Sequence, residues 1–191
     1  MAKRSLPVPF LDLLFILLLS LLVLTILRQP VKTSEIEQRA EFLIIAEWDD
    51  DSSSDIDTWF RGPTGNTVYF GSKQNGLASL DRDDLGALND TRHNPDGTVE
   101  TIRINREVIT LRGWEVGAFT VNLHVYRFSD AHPIKARVRI MRLNPFRIVL
   151  EREVTLDTKG QETTIASIRL DANGDVQNID YGFVKLTRST P

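Results

Sequence analysis

The chain has 191 residues, no cysteine and a formal net charge of −3. That length holds one membrane segment and one domain of about 150 residues, and the missing cysteines exclude a disulfide framework and thiol chemistry. The mildly acidic balance argues against a nucleic-acid partner.

The first element in chain order is the apolar run from Val8 to Leu27, VPFLDLLFILLLSLLVLTIL. A run of about 20 such residues crosses a hydrocarbon core of ~30 Å as a helix. Residues 1–7 form a short tail whose α-amine, Lys3 and Arg4 favour a cytoplasmic N-terminus; Arg28 and Lys32 beyond the run weaken that asymmetry. The expectation is a single-pass protein of the bacterial inner (plasma) membrane, with residues 8–27 spanning and the C-terminal part periplasmic. A cleavable signal peptide also begins basic and turns apolar. Its apolar region is usually only about 7–15 residues long, and TILRQPVK lacks the small residues of a cleavage site.

Asp12 is the ionisable residue within this span. A carboxylate at mid-membrane costs about 2.5–3.5 kcal/mol on insertion scales, so it usually faces protein, water or an ion path. At ~1.5 Å per residue, Asp12 lies about 6 Å from the helix start. From that depth it could instead reach the interface, helped by the positive helix end. Pro7 and Pro9 suit the first turn, where a missing N–H costs little. Asp12, Ile16, Leu19 and Val23 share one stripe, and one acid among bulky aliphatics suits a helix clasped by other helices. Ser20 lies off that stripe and reads as a small interface residue.

The stretch Pro9-Phe10-Leu11-Asp12-Leu13-Leu14-Phe15-Ile16-Leu17-Leu18-Leu19, behind a short basic tail, resembles the transmembrane signature of the ExbD/TolR family. The flagellar stator subunit MotB has a related arrangement. The resemblance implies that Asp12 is the protonatable group of a stator, a motor driven by proton-motive force. It also implies a homodimer held inside a ring of a polytopic ExbB/TolQ/MotA-like partner, which makes the chain an ion-transport subunit and not an enzyme. Carrying one charge through the membrane potential supplies about 2.3 kcal/mol per 100 mV.

Residues 28–41, RQPVKTSEIEQRAE, are polar and read as a linker. In the motor family such a segment can act as a plug or hinge. From residue 42 to 191 the pattern becomes β. Strands are expected in FLIIAEW (42–48), DTWF (57–60), TVYFG (67–71), VETIRI (99–104), GAFTVNLHVYRF (117–128), IKARVRIMRL (134–143), FRIVLEREVTL (146–156), ETTIASIRL (162–170) and YGFVKLT (181–187). Gly62-Pro63-Thr64-Gly65, Asn94-Pro95-Asp96-Gly97, Asp157-Thr158-Lys159-Gly160 and Asn173-Gly174-Asp175 punctuate them as turns. The expected fold is therefore a single N-terminal transmembrane α-helix followed by an all-β sandwich domain.

Acidic loops carry the chemical interest of this domain. Asp55 and Asp57 open one strand, and Asp81, Asp83 and Asp84 cluster in SLDRDDLG. Carboxylates at alternate positions can converge on Ca²⁺, which takes about six to eight oxygens. Asp55, Asp57, Asp81 and Asp83 are the candidate ligands, weighed against solvated turn residues. His93, His124 and His132 lack metal-ligand spacing. Trp48, Trp59 and Trp114 read as core residues before a ligand platform, and Lys135, Arg137, Arg139 and Arg142 as a solvated sheet face. No phosphate-binding glycine loop, Ser/His/Asp arrangement or nucleophile elbow is present.

A second likeness covers these loops. Glu47-Trp48-Asp49, Ser54-Asp55-Ile56-Asp57-Thr58-Trp59, Gly62-Pro63-Thr64-Gly65, Tyr69-Phe70-Gly71 and Leu80-Asp81-Arg82-Asp83-Asp84 resemble the YfaP-type β-sandwich domain, with Gly117 to Tyr126 as its returning strand. Thr58 and Trp59 stand where that pattern carries leucine and histidine. The likeness implies the sandwich without tying the domain to one chemistry; a cell-envelope component is expected as a partner of the external end through the motor resemblance.

Overall fold

The computed structural model describes residues 8–27 and 39–187, which fall into a helix and a β domain. The expected cytoplasmic tail and most of the expected plug or tether, 1–7 and 28–38, lie outside the described residues. Helix α1 (Val8–Leu27) runs the full length of the apolar sequence. Its side chains from Val8 to Thr25 are all exposed and cover no core. A helix that is apolar on every face suits lipid, and α1 is the one candidate span among the described residues. The Thr25 hydroxyl donates to the Leu22 carbonyl at 2.7 Å, which satisfies it within the helix.

The β domain contains β1 (Phe42–Glu47), β2 (Asp55–Arg61), β3 (Thr67–Val68), β4 (Gln74–Asn75), β5 (Ala78–Arg82), β6 (Thr91–His93) and β7 (Val99–Thr101). These are followed by β8 (Arg106–Leu111), β9 (Gly117–Arg127), β10 (Ile134–Leu143), β11 (Phe146–Leu156), β12 (Glu162–Leu170) and β13 (Val176–Asp180). One sheet has the order β11-β10-β1-β8-β5-β4, the second β13-β12-β9-β2-β3, and β6 pairs with β7 in a small ribbon. The strand pairings are antiparallel, as hairpin-connected strands allow.

Alternation explains the core. Phe42, Ile44 and Ala46 of β1 and Ile134, Ala136, Val138 and Ile140 of β10 point inward. They pack with Ile109 and Leu111 of β8, and with Val121, Leu123, Ile165 and Ile168 of the second sheet. Trp48 joins this core, while Trp59 stacks on Tyr69 at 4.1 Å and Trp114 packs edge-on against Phe42 at 6.4 Å. The three tryptophans therefore do not share a platform. On the outer face of β10, Lys135 and Arg137 pair with Glu151 and Glu153 of β11, and Arg139 pairs with Glu47. Arg142 departs from the solvated face expected for it. It shares the inward parity of Ile140, is buried, and binds Asp175 together with the Asn173 and Gly174 carbonyls.

The segment 181–187, expected as a strand, has no ladder. Side chains of the second sheet replace it: Thr164 Oγ1 accepts from the Val184 amide, Asn122 Nδ2 donates to the Val184 carbonyl, and Glu162 accepts from the Leu186 and Thr187 amides. In 99–104, the strand ends at Thr101, and the following loop delivers the chain into β8, which pairs with both β1 and β5.

Candidate functional site

Two places carry unusual carboxylates. The first is Asp12, on the second turn of α1 and surrounded in sequence by Leu11, Leu13 and Leu14. The second lies in the β domain, where β2, the loop after β5 and the start of β8 meet.

Strand β2 pairs with β9 along its length, but β3 covers its other edge only at Phe60 and Arg61. Asp55 and Asp57 therefore stand on a stretch whose second edge has no strand partner among the described residues. Ile56 and Phe60 take the inward face into the core, which leaves Asp55 and Asp57 on the other. The register shifts between Asp55 and Ile56, where Arg127 and Val125 are their partners and Tyr126 is the extra residue of a bulge. Bulges of this kind re-aim neighbouring side chains. His124, opposite Asp57, places Nδ1 3.5 Å from Asp57 Oδ2.

The loop after β5 is pressed against the start of β2. Asp84 accepts from the Gly86 amide at 2.9 Å and from Arg82 at 3.3 Å, and Arg127 donates to the Leu85 carbonyl at 2.8 Å. Gly86 has φ +58°, and a Cβ there would lie 2.7 Å from the Ser54 carbonyl oxygen. The close approach requires glycine. Asp83 is held in the same loop, with Lys73 Nζ 2.8 Å from its Oδ2.

Glu107 enters from the other sheet. Inward alternation on β8 puts it in line with Ile109 and Leu111, and it is only 1% exposed. Its Oε2 accepts from the Thr58 amide on the uncovered edge of β2. One carboxylate oxygen each from Asp57, Asp83 and Glu107 lies within 4.8 Å of the others. Asp55 Oδ1, Asp83 Oδ1 and Glu107 Oε1 are buried without a hydrogen-bond partner among the described residues, as is Thr58 Oγ1.

The electrostatics follow from this crowding. Burial and the nearby Asp57 charge push Asp55 up to about 6. Burial also raises Asp57, against the opposing pull of His124. Glu107 lies well above the usual carboxylate range because it is buried and faces Asp57, although Thr58 favours its charged form. Buried like charges at this separation need a proton, a cation or rearrangement to coexist.

Of the four expected ligands, the fold brings Asp57 and Asp83 together and sets Asp55 beside them. Asp81 lies elsewhere. It is the extra residue of a bulge, since Leu80 pairs with Ile109 and Arg82 with Val108. Its carboxylate accepts from Ser79 Oγ at 2.7 Å and lies 3.9 Å from Arg112. Glu107 was absent from the expected set because it sits in an alternating strand, REVITL, with no neighbouring acid. A glutamate with core parity in such a strand is the signal that points to it.

No family model matches the chain, and no curated protein matches it. Among solved structures, a protein of unknown function, SAV2460, aligns with a TM-score of 0.46 at 15% identity, covering 75% of this chain and 88% of that one. At that level the likeness carries no argument about fold or function.

Proposed function

We propose that the chain is the single-span subunit of a membrane motor driven by proton-motive force, of the ExbB–ExbD/TolQ–TolR/MotA–MotB kind. The observation that carries this reading is Asp12, one carboxylate near the start of a 20-residue helix that is otherwise apolar on all faces. Such a residue in lipid marks an ion or proton path. The preceding Pro9 and the Leu/Ile/Phe run that follows supply the likeness to the motor subunits. In this reading Asp12 takes up and releases protons against a polar path on a polytopic partner, two copies of α1 stand inside that partner's ring, and the N-terminus is cytoplasmic. The β domain is the periplasmic end that delivers force to, or senses, a component of the cell envelope.

The test is to purify the full-length protein from its native membrane in detergent, alone and as Asp12→Asn. The expected outcome is copurification of a polytopic membrane protein with both forms and proton movement in proteoliposomes with the wild type alone. Isolation without such a partner contradicts the reading.

The buried carboxylates of the β domain favour one other reading, an anchored cation-binding module without ion transport. Replacing residues 8–27 by an unrelated apolar helix separates the two. The motor loses activity on this exchange, whereas a tethered module keeps it.

A further inference from the structure

The carboxylates at the junction of β2, β5 and β8 are not needed by a proton carrier in α1, and their arrangement has its own chemistry. Three of them, two from different sheets and one from the loop after β5, converge in a place largely shielded from water, where the Asp83 side chain is 13% exposed. Asp57 and Glu107 are 3% and 1% exposed. Glu107 is no loop acid of the kind that clusters by chance. It lies on the core face of a central strand, where an unpaired charge is costly, and its Oε1 has no partner among the described residues. Among the described residues, Lys73 Nζ contacts Asp83 at 2.8 Å, the His124 ring approaches Asp57 at 3.5 Å, and Arg127 acts on Asp55. Glu107 has no cationic partner among them, and a dication would supply the positive charge that the four carboxylates lack. The three grouped donors are carboxylate oxygens, hard ligands that favour Ca²⁺ or Mg²⁺ over softer metals.

Coordination geometry favours one of these two. Ca²⁺ accepts the irregular arrangement that two sheets and a loop would present, whereas Mg²⁺ demands near-octahedral ligands and keeps its waters.

We propose that Asp57, Asp83 and Glu107, with Asp55 beside them, form a Ca²⁺ site that pins the uncovered edge of β2 in one sheet to the β5 loop and β8 of the other. The ion is structural, since it ties together the two layers at the end of the sandwich where β2 has no second strand. Asp81 is outside the site. The inference does not rest on the motor reading, and Asp12→Asn binds Ca²⁺ as the wild type does.

The test uses the full-length protein in detergent, stripped with a chelator and melted while tryptophan fluorescence is followed. Added CaCl₂ at 100 times its Kd raises the midpoint by roughly 5–10 °C, and MgCl₂ at the same concentration does not. Glu107→Gln abolishes the response, and Asp81→Asn retains it. Should Glu107→Gln fail to fold, Asp83→Asn is titrated with CaCl₂ by calorimetry and shows at least about a tenfold weaker Kd, the effect expected of a lost carboxylate ligand. A wild type without a Ca²⁺-dependent midpoint, or a response undiminished in both Glu107→Gln and Asp83→Asn, overturns the proposal. An equal or larger response to Mg²⁺ overturns the choice of ion.

Discussion

Single residues set the geometry of the acidic junction. Gly86 presses the loop after β5 onto the Ser53 and Ser54 carbonyls, which a Cβ would approach to 2.9 and 2.7 Å, and it does so at φ +58°. Gly86→Ala is expected to cost about 1–3 kcal/mol through backbone strain and displacement of that loop. Thermal melting of the full-length variant reads this as a midpoint several degrees lower; an unchanged midpoint would show that the loop is not held there. Glu162 plays a comparable part on the second sheet. Burial raises its carboxyl, but bonds from Thr187, the Leu186 amide and Asn122 outweigh burial and hold it below its ordinary value. A depressed carboxylate stabilises the fold above its unfolded value, about 4.5, and that contribution is lost as pH falls through the lower folded value. Wild type is therefore expected to exceed Glu162→Gln in stability at pH 6, with the difference closing below pH ~4. Denaturant titrations of both proteins across that range check the prediction, and a gap that persists in acid contradicts it.

At the scale of elements, the outer face of the first sheet is laced by exposed charge pairs. Glu47 on β1 sits between Arg106 of β8 at 2.5 Å and Arg139 of β10 at 2.7 Å. Burial raises its carboxyl, and the two guanidiniums more than offset this, leaving it lowered. The pairs remain partly solvated, so Glu47→Ala is expected to cost at most about 1 kcal/mol, with the loss shrinking at high salt. A loss that is large and insensitive to salt would place Glu47 in a tighter network. Elements of this kind are legible from sequence because β9, β10, β11 and β12 are long, and because β1 and β10 alternate between buried and more exposed positions. The turns at Gly65, Gly97, Gly160 and Gly174 are legible for the same local reason, with a positive φ at each glycine. Legibility fails where register or side chains override periodicity. The bulge at Asp81 turns it away from Asp83, the stretch from Tyr181 to Thr187 finds partners in Glu162 and Thr164 instead of a ladder, and Glu107 reaches its acidic neighbours only through contact between the sheets. Pairing across distant strands cannot be read from spacing within either one.

For the whole molecule, a lipid-compatible helix and a two-sheet β domain are each accounted for by the physics of their own sequences. The helix needs apolar surface on every side and has it. The β domain needs a core of alternating residues from two layers, and Phe42, Ile44, Ile109, Leu123, Ile140 and Ile168 supply it. The residue that the helix does not need for insertion is Asp12, and the proposed function turns on it. The most direct measurement is proton movement into proteoliposomes that contain the full-length protein with its copurified polytopic partner, driven by an imposed membrane potential. Flux is expected with the wild type and none with Asp12→Asn, the complex remaining intact in both. Equal flux through the two would contradict it.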